Sequence, residues 1–243
     1  MALLSVSGLS KRFGPHVGVD DVSFELAAGE RVAVFGANGA GKTTLLRLLA
    51  SLSRPSAGEI ELGGEALLGG DATPRSRLGF LSHETMLYDE LTARENVRLH
   101  ARIHGAEQSR CEQLLETVGL ADRASERVAG FSHGMRKRVS LARALVHDPD
   151  LLLLDEPYTG LDQRSLERMT AVLESVEKRA ILAVTHDLAR GFDLADRLFF
   201  LRDGRLVGDV AASEFEDAGA VVRAYERRCG GRPAAEVALE GER

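Results

Sequence analysis

Nine consecutive residues, Gly36-Ala-Asn-Gly-Ala-Gly-Lys-Thr-Thr44, limit most sharply what this chain of 243 residues can fold into. They fit the pattern G-x-x-x-x-G-K-[ST], opened by Gly36 and closed by Gly41, Lys42 and Thr43. Arg31-Val32-Ala33-Val34-Phe35 before them is β-branched and apolar, and Leu45 to Ala50 after them reads as helix. Glycines at 36, 39 and 41 allow the tight turn that aims successive N–H groups at phosphate oxygens. The following helix adds its positive N-terminal end. Gly36, Ala37, Asn38, Gly39, Ala40, Gly41, Lys42, Thr43 and Thr44 are therefore the expected phosphate cradle. Lys42 is placed to reach the β- and γ-phosphates, and the Thr43 hydroxyl to ligate magnesium. The stretch implies a nucleoside triphosphate site.

The rest of the composition narrows the setting. The length allows one large or two small domains. Apolar runs such as Leu151–Leu154 and Ile181–Val184 are far too short to cross a bilayer. Lys11 and Arg12 follow a short apolar opening that does not read as a secretion signal, so a cytoplasmic location is expected. Cys111 and Cys229 are too few and too far apart for a disulfide framework or a zinc site. A net charge of −6 argues against broad electrostatic capture of nucleic acid or acidic lipid. Work at a membrane would need a partner, with no insertion by this chain.

Along the chain, Leu3 to Arg31 reads as paired strands leading into the strand before the phosphate loop. Phe13, beside the turn at Gly14, is either a platform for an adenine ring or a seal on the strand edge. Glu59–Leu62 alternates as a strand, Gly63–Arg77 reads as loop, and Leu78–Leu81 as a buried strand. Thr92-Ala-Arg-Glu95 has the form of a capping box and opens a helical region that runs to His147. Leu151–Leu154 is an apolar strand ending in Asp155-Glu156, and Asp162 is placed to cap the next helix. Ala180–Thr185 is a further buried strand ending at His186, and Asp203-Gly204 signals a hairpin turn. The expected division is 1–85 (β-subdomain and phosphate loop), 86–147 (helical subdomain), 148–210 (the remaining core) and 211–243 (a C-terminal helix and frayed tail).

Carboxylates at the end of a core strand are costly without a purpose. Asp155 suits a second contact to magnesium, and Glu156 suits polarisation of an attacking water. His186, at the same expected sheet edge as Gly36 and Asp155, is placed to bond the γ-phosphate or Glu156. The basic run Arg136-Lys137-Arg138 reads as a solvated face.

Taken together, these motifs resemble an ATP-binding cassette subunit over nearly all of the chain up to about Val210. The resemblance implies an α/β fold, a P-loop NTPase (RecA-like) core with an antiparallel β-subdomain and a helical subdomain. It implies ATP and Mg2+ as cofactors, with Lys42, Glu156 and His186 as the hydrolytic residues. It further implies a homodimer or paired ATPase subunit closed on ATP, and an integral membrane permease that this chain serves from the cytoplasmic face. The family signature Leu-Ser-Gly-Gly-Gln corresponds here to Phe131-Ser-His-Gly-Met135, which keeps Ser132 and Gly134 and departs at His133 and Met135. In the family these residues act on ATP held by the other copy. Leu161-Asp162 resembles the loop that links the two sites. His83 stands where the family carries a magnesium-contacting Gln, and it is otherwise a plain loop residue. The stretch His83 to Asn96, with Phe131–Met135, is most similar to the ATP-binding subunits of haem exporters of cytochrome c maturation (the CcmA type). ATPases of drug or polysaccharide exporters share much of this pattern. A soluble ATPase acting on nucleic acid and a non-hydrolysing regulatory partner are the expectations against which this one stands.

Overall fold

A computed structural model describes residues 2–68, 73–176 and 179–230. Within them the strands are β1 (Ala2–Phe13), β2 (His16–Ala27), β3 (Arg31–Gly36), β4 (Ala57–Leu62), β5 (Glu65–Ala66), β6 (Leu78–Leu81), β7 (Leu151–Asp155), β8 (Ala180–Val184), β9 (Arg197–Arg202) and β10 (Arg205–Ala211). The α-helices are α1 (Lys42–Leu49), α2 (Ala93–Ile103), α3 (Ser109–Thr117), α4 (His133–Leu145), α5 (Gln163–Ser175), α6 (Leu188–Leu194) and α7 (Ala218–Cys229). They divide into two compact units, Met1–Arg75 with Ala180–Arg243, and Ser76–Arg179.

The first unit holds two sheets. In one, β1 lies between β2 and β4, antiparallel to both. Alternation puts Leu4 and Val6 on one face of β1, a register shift between Val6 and Leu9 lets Leu9 be buried as well, and the register sets Leu4 against Leu26 and Leu62, and Val6 against Phe24 and Ile60. All seven are buried, so the period-two pattern fixes the register by burial. In the other, β3 runs parallel to both β8 and β9, while β10 pairs antiparallel with β9. Its central strands are apolar on both faces, as a strand covered from both sides requires. Phe35, Leu198, Phe200, Val221 and Tyr225 share one core cluster, with Phe200 and Tyr225 edge to face at 5.8 Å. Asp217 caps α7 by accepting from Ala220 N.

In the second unit, β6 and β7 pair in parallel, Leu78 opposite Leu151 and Leu81 opposite Leu154. Helix α4 packs on this pair closely enough that a Cβ on Gly79 would lie 2.5 Å from Ala144 O. The capping box on α2 forms, with Glu95 N donating to Thr92 Oγ1 and Thr92 N donating to Glu95 Oε2. Buried Asn96 then clamps the preceding loop, accepting from Tyr88 N at 2.8 Å and donating to Tyr88 O at 3.0 Å.

Two local readings change. The stretch 63–77 contains the two-residue strand β5 and a 3-10 turn at Pro74–Arg77, because Glu65 and Ala66 find partners on β4; residues 69–72 lie outside the described residues. The short helix expected beyond Ala211 is a 3-10 turn at Ala212–Glu214 followed by the 12-residue α7. Most of the expected tail, 231–243, also lies outside them.

Candidate functional site

The phosphate loop belongs to the first unit. Strand β3 carries the chain from the sheet into the turn at Gly36, and α1 begins at Lys42 behind Gly41. Gly39 and Gly41 have φ of 83° and 102°, a region that side chains with a Cβ avoid. A Cβ on Gly41 would also stand 2.2 Å from Gly18 O. No side chain caps α1, so its first turn presents backbone donors in the manner of an anion site. Ala37, Asn38 and Gly39 are exposed, as is Thr43, while Ala40 is buried. Lys42 is nearly buried, and its ammonium donates to Gly36 O at 2.7 Å and Ala37 O at 3.0 Å, which keeps the cation over the rim of the turn.

The turn is braced from outside. Asp203 and Gly204, with φ of 50° and 79°, form the tight turn between β9 and β10. Gly204 N donates to Ala40 O at 3.0 Å, and Gly204 O accepts from Asp20 N at 2.9 Å. The cradle is therefore held in shape by strand β2 and a hairpin turn, and its glycines are required both by backbone angle and by space. Gly41→Ala is expected to introduce about 1–3 kcal/mol of strain and to weaken nucleotide binding roughly 10- to 100-fold. Equilibrium titration with a fluorescent ATP analogue checks this.

Phe13 ends β1 and is 52% exposed, more than a seal on the strand edge requires. A Cβ on Gly18 would lie 3.0 Å from Phe13 Cε2 and 3.0 Å from Thr44 Cγ2, so the ring borders the cradle across a glycine. Lys11 Nζ sits 5.1 Å from the ring centroid. An exposed flat face beside phosphate donors is what adenine stacking needs. Phe13→Ala is expected to raise the dissociation constant for ATP roughly 3- to 10-fold, from about 0.5–1.5 kcal/mol of ring stacking. Isothermal titration reads the change.

His186 follows β8 in the same unit. Because β8 is parallel to β3, with Val34 opposite Val184 and Thr185 N donating to Val34 O, His186 stands at the sheet edge where Gly36 opens the loop. It is half-buried. Asp187 next to it caps α6, accepting from Arg190 N at 3.1 Å.

The acidic pair belongs to the second unit. Asp155, the last residue of β7, is only 4% exposed. Glu156 has φ of 51°, a left-handed conformation uncommon for a residue with a side chain. Two contacts hold it there. Thr159 Oγ1 donates to Glu156 Oε2 at 3.1 Å, and Lys137 Nζ donates to Glu156 O at 2.5 Å and Thr159 O at 2.8 Å. Lys137 has no solvent exposure. Burial pushes its pKa down to about 8, against the pull of Glu156 and Asp155, which favour the charged form. This corrects the reading of residues 136–138 as a solvated face: Lys137 faces inward, Arg136 pairs with Asp89 at 2.6 Å, and Arg138 donates to Val118 O at 2.8 Å.

Ser132 caps α4, accepting from Met135 N at 3.3 Å, and is exposed together with His133. Gly134 is buried against α5, where a Cβ would stand 2.5 Å from Ser165 Oγ, so glycine there is a packing necessity. Asp162 caps α5, accepting from Ser165 N at 2.7 Å, a bond that lowers its pKa. His83 is exposed on the loop after β6. Each unit thus gathers its own set: Phe13, residues 36–44 and His186 in the first, and His83, Ser132, Gly134, Asp155, Glu156 and Asp162 in the second. Gly18, Gly204, Lys137 and Thr159 carry positions that the sequence pattern did not single out. Gly204 had a signal as a turn residue, whereas Lys137 had none.

Known proteins resemble the chain in both sequence and fold. A family model described as ABC transporter matches residues 19–159. The chain is 38% identical over 216 residues to the ABC transporter ATP-binding protein NatA of Bacillus subtilis (strain 168), covering 84% of this chain and 88% of that protein. It is 37% identical over 219 residues to the daunorubicin resistance ATP-binding protein DrrA3 of Streptomyces coeruleorubidus, covering 88% and 69%. Among solved structures, an ATP-binding cassette in a dimeric post-hydrolysis state bound to ADP and Pi superposes with a TM-score of 0.79 at 25% identity, covering 86% of this chain and 98% of that one. An ATP-binding subunit of an ABC transporter gives 0.82 at 30% identity, covering 98% of both chains.

Proposed function

The chain belongs to the ABC transporter family of ATP-binding proteins, and on that premise we propose that it powers an exporter whose membrane channel is a separate polypeptide. It is an ATPase with the ABC ATPase fold. The observation that carries the mechanistic reading is Glu156, held left-handed by Thr159 and by the buried Lys137. A carboxylate fixed at both its backbone and its side chain is suited to orient one water for attack on a γ-phosphate.

The remaining roles follow from chemistry. The cradle from Gly36 to Thr44 and Lys42 bind the triphosphate, Phe13 stacks on its base, and His186 bonds the terminal phosphate. Thr43 and Asp155 carry the oxygen donors that Mg2+ takes, and His83 is the further candidate ligand; when bound, the ion would neutralise phosphate charge. Ser132, Gly134 and Asp162 serve the ATP of a second copy or a related subunit. ATP closes the pair through its better affinity for the closed form, and loss of the γ-phosphate releases it.

Among the described residues no helix is long and apolar enough to cross a membrane. The proposed docking segment is the loop around Met86 and Tyr88, which are 49% and 60% exposed, with Tyr88 tied to α2 by Asn96. A place on the cytoplasmic face of the cell membrane accompanies that contact.

The cargo we favour is haem for cytochrome c maturation, on the likeness of residues 83–96 and 131–135 to the ATPases of haem exporters. A second reading, export of another cargo, is favoured by relatives such as DrrA3 and the Nod factor export ATP-binding protein I of Burkholderia lata, 38% identical over 217 residues. Deleting the gene and measuring covalent haem in cytochrome c separates the two. Loss of haem attachment, restored by the wild-type chain and not by its Glu156→Gln variant, is the expected result. Normal cytochrome c in the deletion strain overturns the haem reading and leaves the ATPase reading intact.

A further inference from the structure

Three imidazoles meet at the C-terminal end of α2, in the second unit. One ring nitrogen from each of His100, His104 and His147 lies within 4.8 Å of the other two. His100 and His104 are four residues apart and so share a helix face, with ring centroids 4.5 Å apart. His147, just past α4, stacks on His104 at 4.1 Å and stands 5.5 Å from His100. Its Nε2 lies 2.8 Å from Leu78 O. A carbonyl oxygen only accepts, so Nε2 bears the proton and Nδ1 is left with a bare lone pair. That Nδ1 is buried and has no hydrogen-bond partner. A backbone carbonyl that fixes the tautomer of one ring nitrogen and turns the other into a cluster is the usual support of a metal-binding histidine.

We propose that His100, His104 and His147 form a binding site for a divalent transition-metal ion, Zn2+ foremost, with a water in the fourth position. An all-imidazole donor set suits Zn2+ and its borderline neighbours and disfavours Mg2+ and Ca2+, which take oxygen ligands. Burial lowers the pKa of all three rings, His100 to about 3 and His147 to about 4, so at neutral pH each is a free base and no proton competes with the ion. The cations facing the cluster are Arg143 of α4 and, at His147, Arg110 of α3. Arg110 is paired with Asp148 at 3.0 Å, and Arg143 donates to Phe80 O at 3.0 Å. They oppose a divalent charge and set the affinity below that of a site backed by carboxylates. Zn–N bonds of about 2.0–2.1 Å require the nitrogens to draw closer than they stand. The half-buried ring of His104, at the helix cap, is the one to tilt off its stack with His147. Bound metal would pin the last turn of α2 to the segment after α4. The same helix holds Tyr88 through Asn96, so the ion would stiffen the support of the exposed loop at Met86 and Tyr88.

The test is Zn2+ titration of the full chain, free of any polyhistidine tag and stripped by chelator, in excess Mg2+ to fill oxygen-donor sites. One Zn2+ per chain and a metal-dependent rise in melting temperature are expected. His104→Ala and His100→Gln should each weaken binding by more than the about 10–100-fold that loss of a mere outer-shell support costs and abolish that rise, while melting like the wild type in chelator. Co2+ in place of Zn2+ should give the visible bands of nitrogen ligation. Unchanged Zn2+ affinity in a variant carrying both substitutions, no binding by the wild type, or a thiolate charge-transfer band from Cys111 or Cys229 would overturn the site. Should a variant not fold, 15N spectra of the wild-type imidazoles decide. Zn2+ must shift Nδ1 of His147, and an unmoved resonance counts against the proposal.

Discussion

Glu156→Gln should reduce steady-state phosphate release by about 10³-fold while leaving ATP affinity within about threefold. The amide keeps the shape of the side chain and accepts from Thr159 Oγ1 as the carboxylate does, at 3.1 Å. It cannot take a proton from water, and a positioned general base contributes about 10²–10⁴-fold. The left-handed backbone at φ 51° remains, since Lys137 holds the carbonyl and not the side chain. Phosphate release and nucleotide binding measured on one preparation check both halves. Equal turnover in the two proteins would remove Glu156 from the chemistry. Equal loss of binding and turnover would mean that the substitution had damaged the fold.

Lys137→Ala should cost about 3 kcal/mol of stability, because it strands Glu156 O and Thr159 O in the interior and leaves a cavity where a buried side chain stood. For a chain of this size that lowers the melting temperature by roughly 6–12 °C. Turnover should fall with it, since the carbonyl contact that fixes the left-handed Glu156 is gone. Lys137→Met restores volume but not the donors, so it should recover part of the stability and little of the activity. The sign of the pH effect follows from the lowered pKa, about 8 in the fold against 10.5 for an ordinary lysine. Between those values the unfolded chain holds a proton that the folded chain has released, so Lys137 favours folding increasingly as pH rises through the window. Denaturant titrations at pH 7.5 and 10 should show this rise in the wild type relative to Lys137→Met. No difference between the two slopes would place the ammonium in a more polar setting than its burial implies.

What could be read from the sequence was local. The phosphate loop was legible because its strand, glycines, lysine and helix follow one another without interruption, so no tertiary contact is needed to recognise it. Thr92 with Glu95 and Asp162 with Ser165 were legible for the same reason, as each capping bond spans three residues. Lys137 was not. In a basic triplet its charge reads as surface, and its acceptors lie 19 and 22 residues away. Asp203-Gly204 shows both cases. The turn was legible from two residues, whereas its bond to Ala40 depends on β9 lying beside β3. The three histidines also gave no signal, because His147 reaches the α2 pair only through the packing of α4 on α2. Cargo is the least legible property, since in the proposed function the contacts that select it belong to another polypeptide.

Light scattering on the Glu156→Gln protein reads most directly whether ATP is gripped by two polypeptide chains at once. With Mg2+ and ATP the mass should double, and with ADP it should return to that of one chain, as should that of a Glu156→Gln, Ser132→Arg double variant under ATP. If saturating ATP, shown by titration to be bound, leaves the mass at one chain both alone and with the co-purified partner ATPase, the proposed mechanism is contradicted.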